Sequence, residues 1–446
     1  MHPPPRAPSG DPPAAPHDAF AHAALAAACR AAGDELGALA HEVAQRALTS
    51  HRAGAMAAAL ADLDTVATGY FMKGDHRAAA YWYRLLLALD ANHATAHLNL
   101  AAIHDAQGEH GEAARCRARA YALQRVFVEP VDAPLRRLLI LCAGGAAANV
   151  PFESLLAGSR TLRIKYIIDR ADRAEDAALP AYDAVFNAIG DADAAAPLAQ
   201  RLQDFAAACA RPLLNAPAAV ARTQRQRLGE LLGGLADVHV APCVRHEAPA
   251  PALSALGTRL EAAGLLLPVL VRPAGSHGGQ GLVRCESLQA LQAAQDAIGG
   301  PHYLSAFVDT RGTDGWYRKA RVVFVGGEPL PYHLAISPHW MVHYQSAGMA
   351  ADRRRLDEEA AFLADPVAAL GAHAMAAIAA IGQRVDLDYA GVDFTVRPDG
   401  GVLVFEANAT MLVHRERPGG PLAHKNPHVE RIAAAFERLL SRAAGC

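Results

Sequence analysis

Two carboxylates and an amide stand close together near the end of the chain, in Gly391-Val392-Asp393-Phe394 and Phe405-Glu406-Ala407-Asn408. Apolar residues flank each group, and the polar run Arg397 to Gly401 between them predicts a turn joining two strands. Alternation along a strand then puts Asp393 and Glu406 on neighbouring strands, with Asn408 two residues further along the same face. Three oxygen donors of this kind make a hard ligand set suited to magnesium, which takes one or two carboxylates together with nucleotide phosphates and water.

A second group of residues suits phosphate. The apolar run Leu267 to Val271 carries Arg272 and enters Ala274-Gly275-Ser276-His277-Gly278-Gly279-Gln280-Gly281, a loop with four glycines ahead of another strand. Glycines let backbone N–H groups come close to phosphate oxygens, and the cation on the strand neutralises their charge. Further on, His302 to Asp309 reads as a strand ending in a carboxylate. Arg318 to Val325 reads as a basic strand entering the turn Gly326-Gly327, with Lys319 and Arg321 alternating onto one face. Pro331 to Tyr344 is dense in histidine and aromatics, so His333 and His343 are candidates to orient a substrate or relay a proton.

These residues need a frame, and the chain supplies several. With 446 residues, two or three domains are expected. Apolar residues make up 52% and charged residues 20%, a globular composition, and the formal charge of -3 nominates neither nucleic acid nor another polymeric partner. The seven cysteines have no CxxC spacing, which predicts small buried thiols in a reducing compartment. No stretch approaches the roughly 20 apolar residues of a membrane helix, and the expected compartment is the cytoplasm.

Residues 1–16 are proline-rich and read as a disordered leader. From Ala19 to about Leu123 there is no proline, and Leu60, Leu63, Val66 and Tyr70 recur at helical spacing. Within this region Gly74-Asp75-His76-Arg77-Ala78-Ala79 and Gly108-Glu109-His110-Gly111-Glu112-Ala113 align at an offset of about 34 residues. That offset, with a turn glycine and a small packing residue in each copy, resembles tetratricopeptide repeats. The resemblance implies an array of paired helices over 17–127 that presents a peptide or protein.

After Pro130 the composition shifts. Arg137 to Cys142, Ile164 to Ile168, Ala184 to Asn187 and Pro212 to Asn215 predict four strands, separated by helical segments that include Leu155 to Ser159. Such alternation predicts a parallel, Rossmann-like sheet over 131–220. No GxGxxG follows the first strand, so a dinucleotide is not expected.

Taken in order, the strand cation, the glycine-rich loop, the basic strand and the Asp followed by Glu-x-Asn resemble the ATP-grasp superfamily over about residues 131–440. The resemblance implies a Rossmann-like pre-ATP-grasp domain and a two-lobed α+β ATP-grasp domain over 221–440, giving a multidomain α and α/β protein. It implies ATP with one or two Mg2+ ions as cofactors, with Asp393, Glu406 and Asn408 as metal ligands. Arg227, Arg272, Gly275, Ser276, His277, Gly278, Gly279 and Gly281 take the phosphate side. Ala306, Phe307 and Val308 border the adenine, and Asp309, or else Asp314, meets the ribose. Arg321, with Lys319 and His333, takes the catalytic side. The family usually has lysine where Arg272 stands, and another near Arg225 and Arg227. Arginine keeps the charge and adds bidentate phosphate geometry.

The activity so implied is ligation of a carboxylate to an amine through an acyl-phosphate, with no nucleic acid and no membrane involved. An ATP-grasp phosphotransferase that forms no amide and a noncatalytic nucleotide-binding adaptor are the alternatives.

Overall fold

The computed structural model describes residues 17–50, 53–145, 148–247 and 253–445. The leader expected over 1–16 lies outside them. Two units separate by their internal contacts, one up to Arg125 and one from Val126 onward.

The first unit is a run of six helices: α1 (Ala19–Ala31), α2 (Glu35–Thr49), α3 (Ala53–Met72), α4 (His76–Leu89), α5 (Ala94–Ala106) and α6 (His110–Leu123). Each packs against its neighbour in the chain. The junctions repeat one chemistry. Gly33, Gly74 and Gly108 take positive φ, which ends a helix without steric cost, and an acidic residue follows each. Asp34 and Asp75 then cap α2 and α4 by accepting from Gly37 N and Ala78 N. The interval between Gly74 and Gly108 is not kept back to Gly33, because α3 is the longest of the six, at 20 residues. Ala79 and Ala113 are fully buried, and Leu63, Val66 and Tyr70 join Trp82, Tyr83 and Leu86 in the core.

The second unit holds three sheets. Strands β1 (Val126–Glu129), β2 (Arg136–Cys142), β3 (Thr161–Ile167), β4 (Ala184–Asn187) and β5 (Leu213–Leu214) form the first, in the order β1-β3-β2-β4-β5. All are parallel except β1, which runs antiparallel to β3. The continuous apolar runs of β2 and β4 are buried, as a sheet covered on both faces requires. The helix expected at Leu155 to Ser159 is instead a chain of turns. Pro151 and Gly158 bracket that stretch, leaving it too short to gain from helical hydrogen bonds. Two short 3-10 helices replace a helix between β3 and β4.

Strand β6 (Val238–Val240) joins the third sheet, while β7 (Cys243–His246), β8 (Val269–Pro273), β9 (Val283–Cys285) and β10 (His302–Ala306) form the second, antiparallel in the order β7-β10-β8-β9. The helices Leu253–Ala262 and Leu288–Ile298 back it through Leu256, Leu260 and Leu291. The third sheet has the order β12-β11-β13-β14-β6, from β11 (Tyr317–Val325), β12 (Glu328–Ser337), β13 (Tyr389–Val396) and β14 (Val402–Asn408).

The expected boundary near residue 220 is crossed by buried hydrogen bonds. Asn215 donates from Nδ2 to Tyr389 O at 2.9 Å and accepts from Tyr389 N at 2.8 Å. The helix Asn426–Ala444 sets Phe436 edge-on against both Phe186 of β4 and Tyr389 of β13. Sheets one and three therefore share a core. Among the described residues no helix is long and apolar enough to cross a membrane. Six described cysteines carry free thiols; three of them are buried, and Cys116, Cys209 and Cys243 are partly accessible.

Candidate active site

Strands β11, β13 and β14 run antiparallel, and their register sets Arg321 opposite Asp393 and Asp393 opposite Glu406. Gly391 faces Asn408 two residues along. The pairing shifts register between Arg321 and Val322 and again between Asp393 and Phe394. Bulges of this type redirect side chains beside functional sites. Gly391 has a packing reason as well, since a Cβ there would lie 2.5 Å from Met411 Cγ and 3.0 Å from Val322 O.

Asp393 is fully buried and fully paired. Arg321 donates from Nε at 2.5 Å and from a terminal nitrogen at 2.9 Å, while Lys319 Nζ donates at 2.8 Å. Burial would raise its pKa, yet Arg321 and Lys319 hold it well below the usual carboxylate range. Glu406 pairs with Arg225. Burial and the neighbouring Asp393 push Glu406 up, and Arg225, Lys319 and Arg272 bring it down on balance. Burial and the proximity of Arg225 lower Arg272 to about 10. Four protein cations thus surround two carboxylates, a balance suited to a polyanion.

A cavity of about 590 Å³ opens between the second and third sheets, lined from one side by Arg272, Tyr303 and Ala306 and from the other by Lys319, Arg321, Asp393, Glu406 and Asn408. Phe307 and Val308 line it too, as do His277, Gly278 and Gly279 of the glycine-rich loop. The loop approaches the segment after β12 closely: a Cβ on Gly278 would lie 3.2 Å from His343 Nε2, and one on Gly279 3.4 Å from Met341 Sδ.

Seven residues named from the sequence are absent from the cavity wall. Arg227 is exposed, because the 3-10 turn Arg225–Arg227 that sends Arg225 to Glu406 turns Arg227 to solvent. Ser276 serves Arg272 instead, its carbonyl and hydroxyl both accepting from that guanidinium. Gly281 closes the hairpin over Pro273, where a Cβ would lie 2.9 Å from the ring. Gly275 donates its N–H to Asp193 at 3.2 Å. Asp309 lies beyond the end of β10 and accepts from Arg311 N at 3.0 Å, and Asp314 binds Arg318. His333 is buried, stacked on Tyr344 at 4.7 Å with Nε2 unbonded. The register sets His333 opposite Arg321 on the same face of the sheet, and the stacked Tyr344 ring lies over it. His343 lines the wall together with His277, and its pKa is lowered by burial, Lys319 and Arg321.

Asp191 and Asp193 escaped the sequence reading. They follow β4, at the carboxyl end of a parallel strand, where ligands of open α/β sheets gather. That position was the available signal.

Donor type and register fit a divalent ion. Glu406 Oε1 lies 3.9 Å from Arg321, while the Asn408 amide oxygen accepts from Thr410. Among the described residues no three His, Cys, Asp or Glu side chains converge to hold a metal. An ion there would need two carboxylates, an amide and oxygens brought by a ligand.

No family model matches the sequence, and no curated protein matches it. Solved structures do align. D-alanine–D-alanine ligase from Bacillus anthracis complexed with ATP aligns at 11% identity and TM-score 0.44, over 70% of this chain and 98% of that one. VanG D-Ala:D-Ser ligase from Enterococcus faecalis aligns at 12% and 0.44, over 69% and 99%. A RimK domain ATP-grasp protein from Sphaerobacter thermophilus aligns at 17% and 0.40, over 67% and 98%.

Proposed function

We propose that this protein is an ATP-grasp ligase that uses Mg-ATP to join a carboxylate to an amine. The observation that carries the proposal is the row Arg321, Asp393 and Glu406 across three adjacent strands, facing Arg272 and the glycine-rich loop over one cavity. The γ-phosphoryl group passes from ATP to a carboxylate oxygen and ADP leaves. The amine then attacks the acyl carbon, expels phosphate and loses a proton. Positioning and charge neutralisation supply the catalysis, with Arg272 and the loop amides on the phosphates and Arg321 on the transferring group. Glu406 and Asn408, with Asp393, would hold magnesium, which offsets phosphate charge when bound. The helical unit has the part of binding a peptide or protein that carries one reacting group, and the cytoplasm is its compartment.

The test is an ADP-release screen against amino acids and peptides, repeated with Asp393→Asn and Glu406→Gln. We expect release with one acid and amine pair, transfer of label from the carboxylate oxygen to phosphate, and loss of about 100-fold or more in each variant. Release without label transfer would replace the ligase by a phosphotransferase that forms no amide. One observation favours a noncatalytic adaptor: both oxygens of Asp393 are already taken by protein cations. Binding of Mg-ATP with no ADP release under any mixture would select it.

A further inference from the structure

The glycine-rich loop does not stand alone. Its first glycine donates N–H to Asp193 Oδ2 at 3.2 Å, and its histidine, His277, reaches Asp191 Oδ2 at 3.2 Å. Both aspartates belong to the short turn of helix that follows β4 in the first sheet, whereas the loop belongs to the second. Asp193 also accepts at Oδ1 from Tyr303 OH at 2.6 Å and from Arg245 at 2.8 Å. Tyr303 sits on β10 beside Arg272 of β8, and Arg245 on β7. One carboxylate therefore gathers three parts of the second sheet.

Two explanations compete for an acidic pair beside an active site: a subsite for the substrate ammonium, or a structural tie. Hydrogen bonding decides between them. Asp193 has donors on both oxygens, and Asp191 spends Oδ1 on Ala194 N at 2.8 Å and Oδ2 on His277. Each side chain is only 14% exposed. An incoming ammonium would have to break bonds already made, which costs more than it returns for a largely covered, satisfied carboxylate.

We propose that Asp193, assisted by Asp191, is a positioning residue that latches the phosphate-covering loop and the second sheet onto the first sheet. The latch holds His277 to Gly279 over the cavity and fixes Tyr303 at its wall before any ligand arrives. It rests on the nucleotide reading for its purpose, because a preorganised loop spares nucleotide binding the cost of ordering it. Asp193 itself touches no reacting atom.

The experiment is peptide-resolved hydrogen exchange on the full-length protein without nucleotide, comparing wild type, Asp193→Ala and Asp193→Asn. Asp193→Ala should speed exchange across 274–282 by about tenfold, the ratio that one charge-assisted hydrogen bond supports, and leave β11 to β14 unchanged. Asp193→Asn keeps an acceptor oxygen and should give a smaller increase. In turnover assays the KM for ATP should rise by about tenfold while kcat stays within about threefold. If the alanine variant does not fold, Asp193→Asn and Tyr303→Phe carry the same comparison. Loop exchange equal to wild type, or a fall in kcat with KM unchanged, would overturn the latch. Exchange is read without ATP, so faster loop exchange supports the latch even if the wild-type protein releases no ADP.

Discussion

Arg321 and Lys319 clamp Asp393 with three hydrogen bonds, and the fork of Arg321 supplies two of them. A lysine at 321 keeps the charge but cannot span both oxygens. We expect Arg321→Lys to lower ADP release by about 100-fold, the loss typical of one preorganised donor, while the fold persists. Activity near wild type in that variant would show that charge alone suffices. Asp393 also has a stability consequence. Its folded pKa is depressed, so its contribution is complete above the unfolded value of about 3.9 and is lost as the pH falls below that value towards the folded one. Chemical denaturation of wild type should weaken below about pH 4, and Asp393→Asn should flatten that limb. The residue types here were legible because carboxylates inside apolar strands have few structural uses. Asp193 was not legible, since an acidic residue in the first turn of a helix is ordinary until its partners on two other strands are known.

The elements were readable where periodicity was strong. Strands β11, β13 and β14 are strands because β-branched and aromatic residues alternate with the site residues, and two glycine turns bound them. Less readable was the stretch after β2, where apolar residues that suit a helix form turns, because length and the flanking proline and glycine override propensity. Nor could periodicity foresee the paired bulges, which change which side chain faces the cavity by one residue. Gly391 tests how tightly this row of strands is packed. Alanine there would push into Met411 and the carbonyl of Val322, so Gly391→Ala should destabilise the second unit by about 1–3 kcal/mol. Adding Met411→Ala should recover part of that loss, leaving the backbone contact, and urea titrations of the four proteins measure the coupling. Full additivity of the two changes would mean that the methionine yields without cost.

At the scale of the whole chain, the helical unit and the three-sheet unit keep separate cores, and each answers to its own buried groups. Composition and the proline-free stretch are local signals of a helical region, whereas the bonds of Asn215 that fuse the first and third sheets join residues far apart in sequence and left no local trace. The helical core holds two imidazoles, His22 and His41, with Nδ1 atoms 2.9 Å apart and Trp82 against both rings. Burial and then His22 lower the pKa of His41 from 6.5 to about 4, against a smaller upward pull from Asp34. Cys29 and Tyr70 also lie within reach of Asp34, and burial raises both pKa values, so both stay neutral in acid. The unfolded chain takes a proton on His41 near pH 6.5, while the folded chain resists until about 4. Stability of the helical unit is therefore full above pH 6.5 and declines through that window. Hydrogen exchange resolved by peptide should show α1 to α4 opening more readily at pH 4.5 than at pH 7, with β11 to β14 changing little over the same interval. His41→Gln keeps a hydrogen-bonding group without the titration, and its helices should exchange alike at both values. If α1 to α4 of the wild-type protein also exchange alike, the buried imidazole pair does not set the acid stability of this unit.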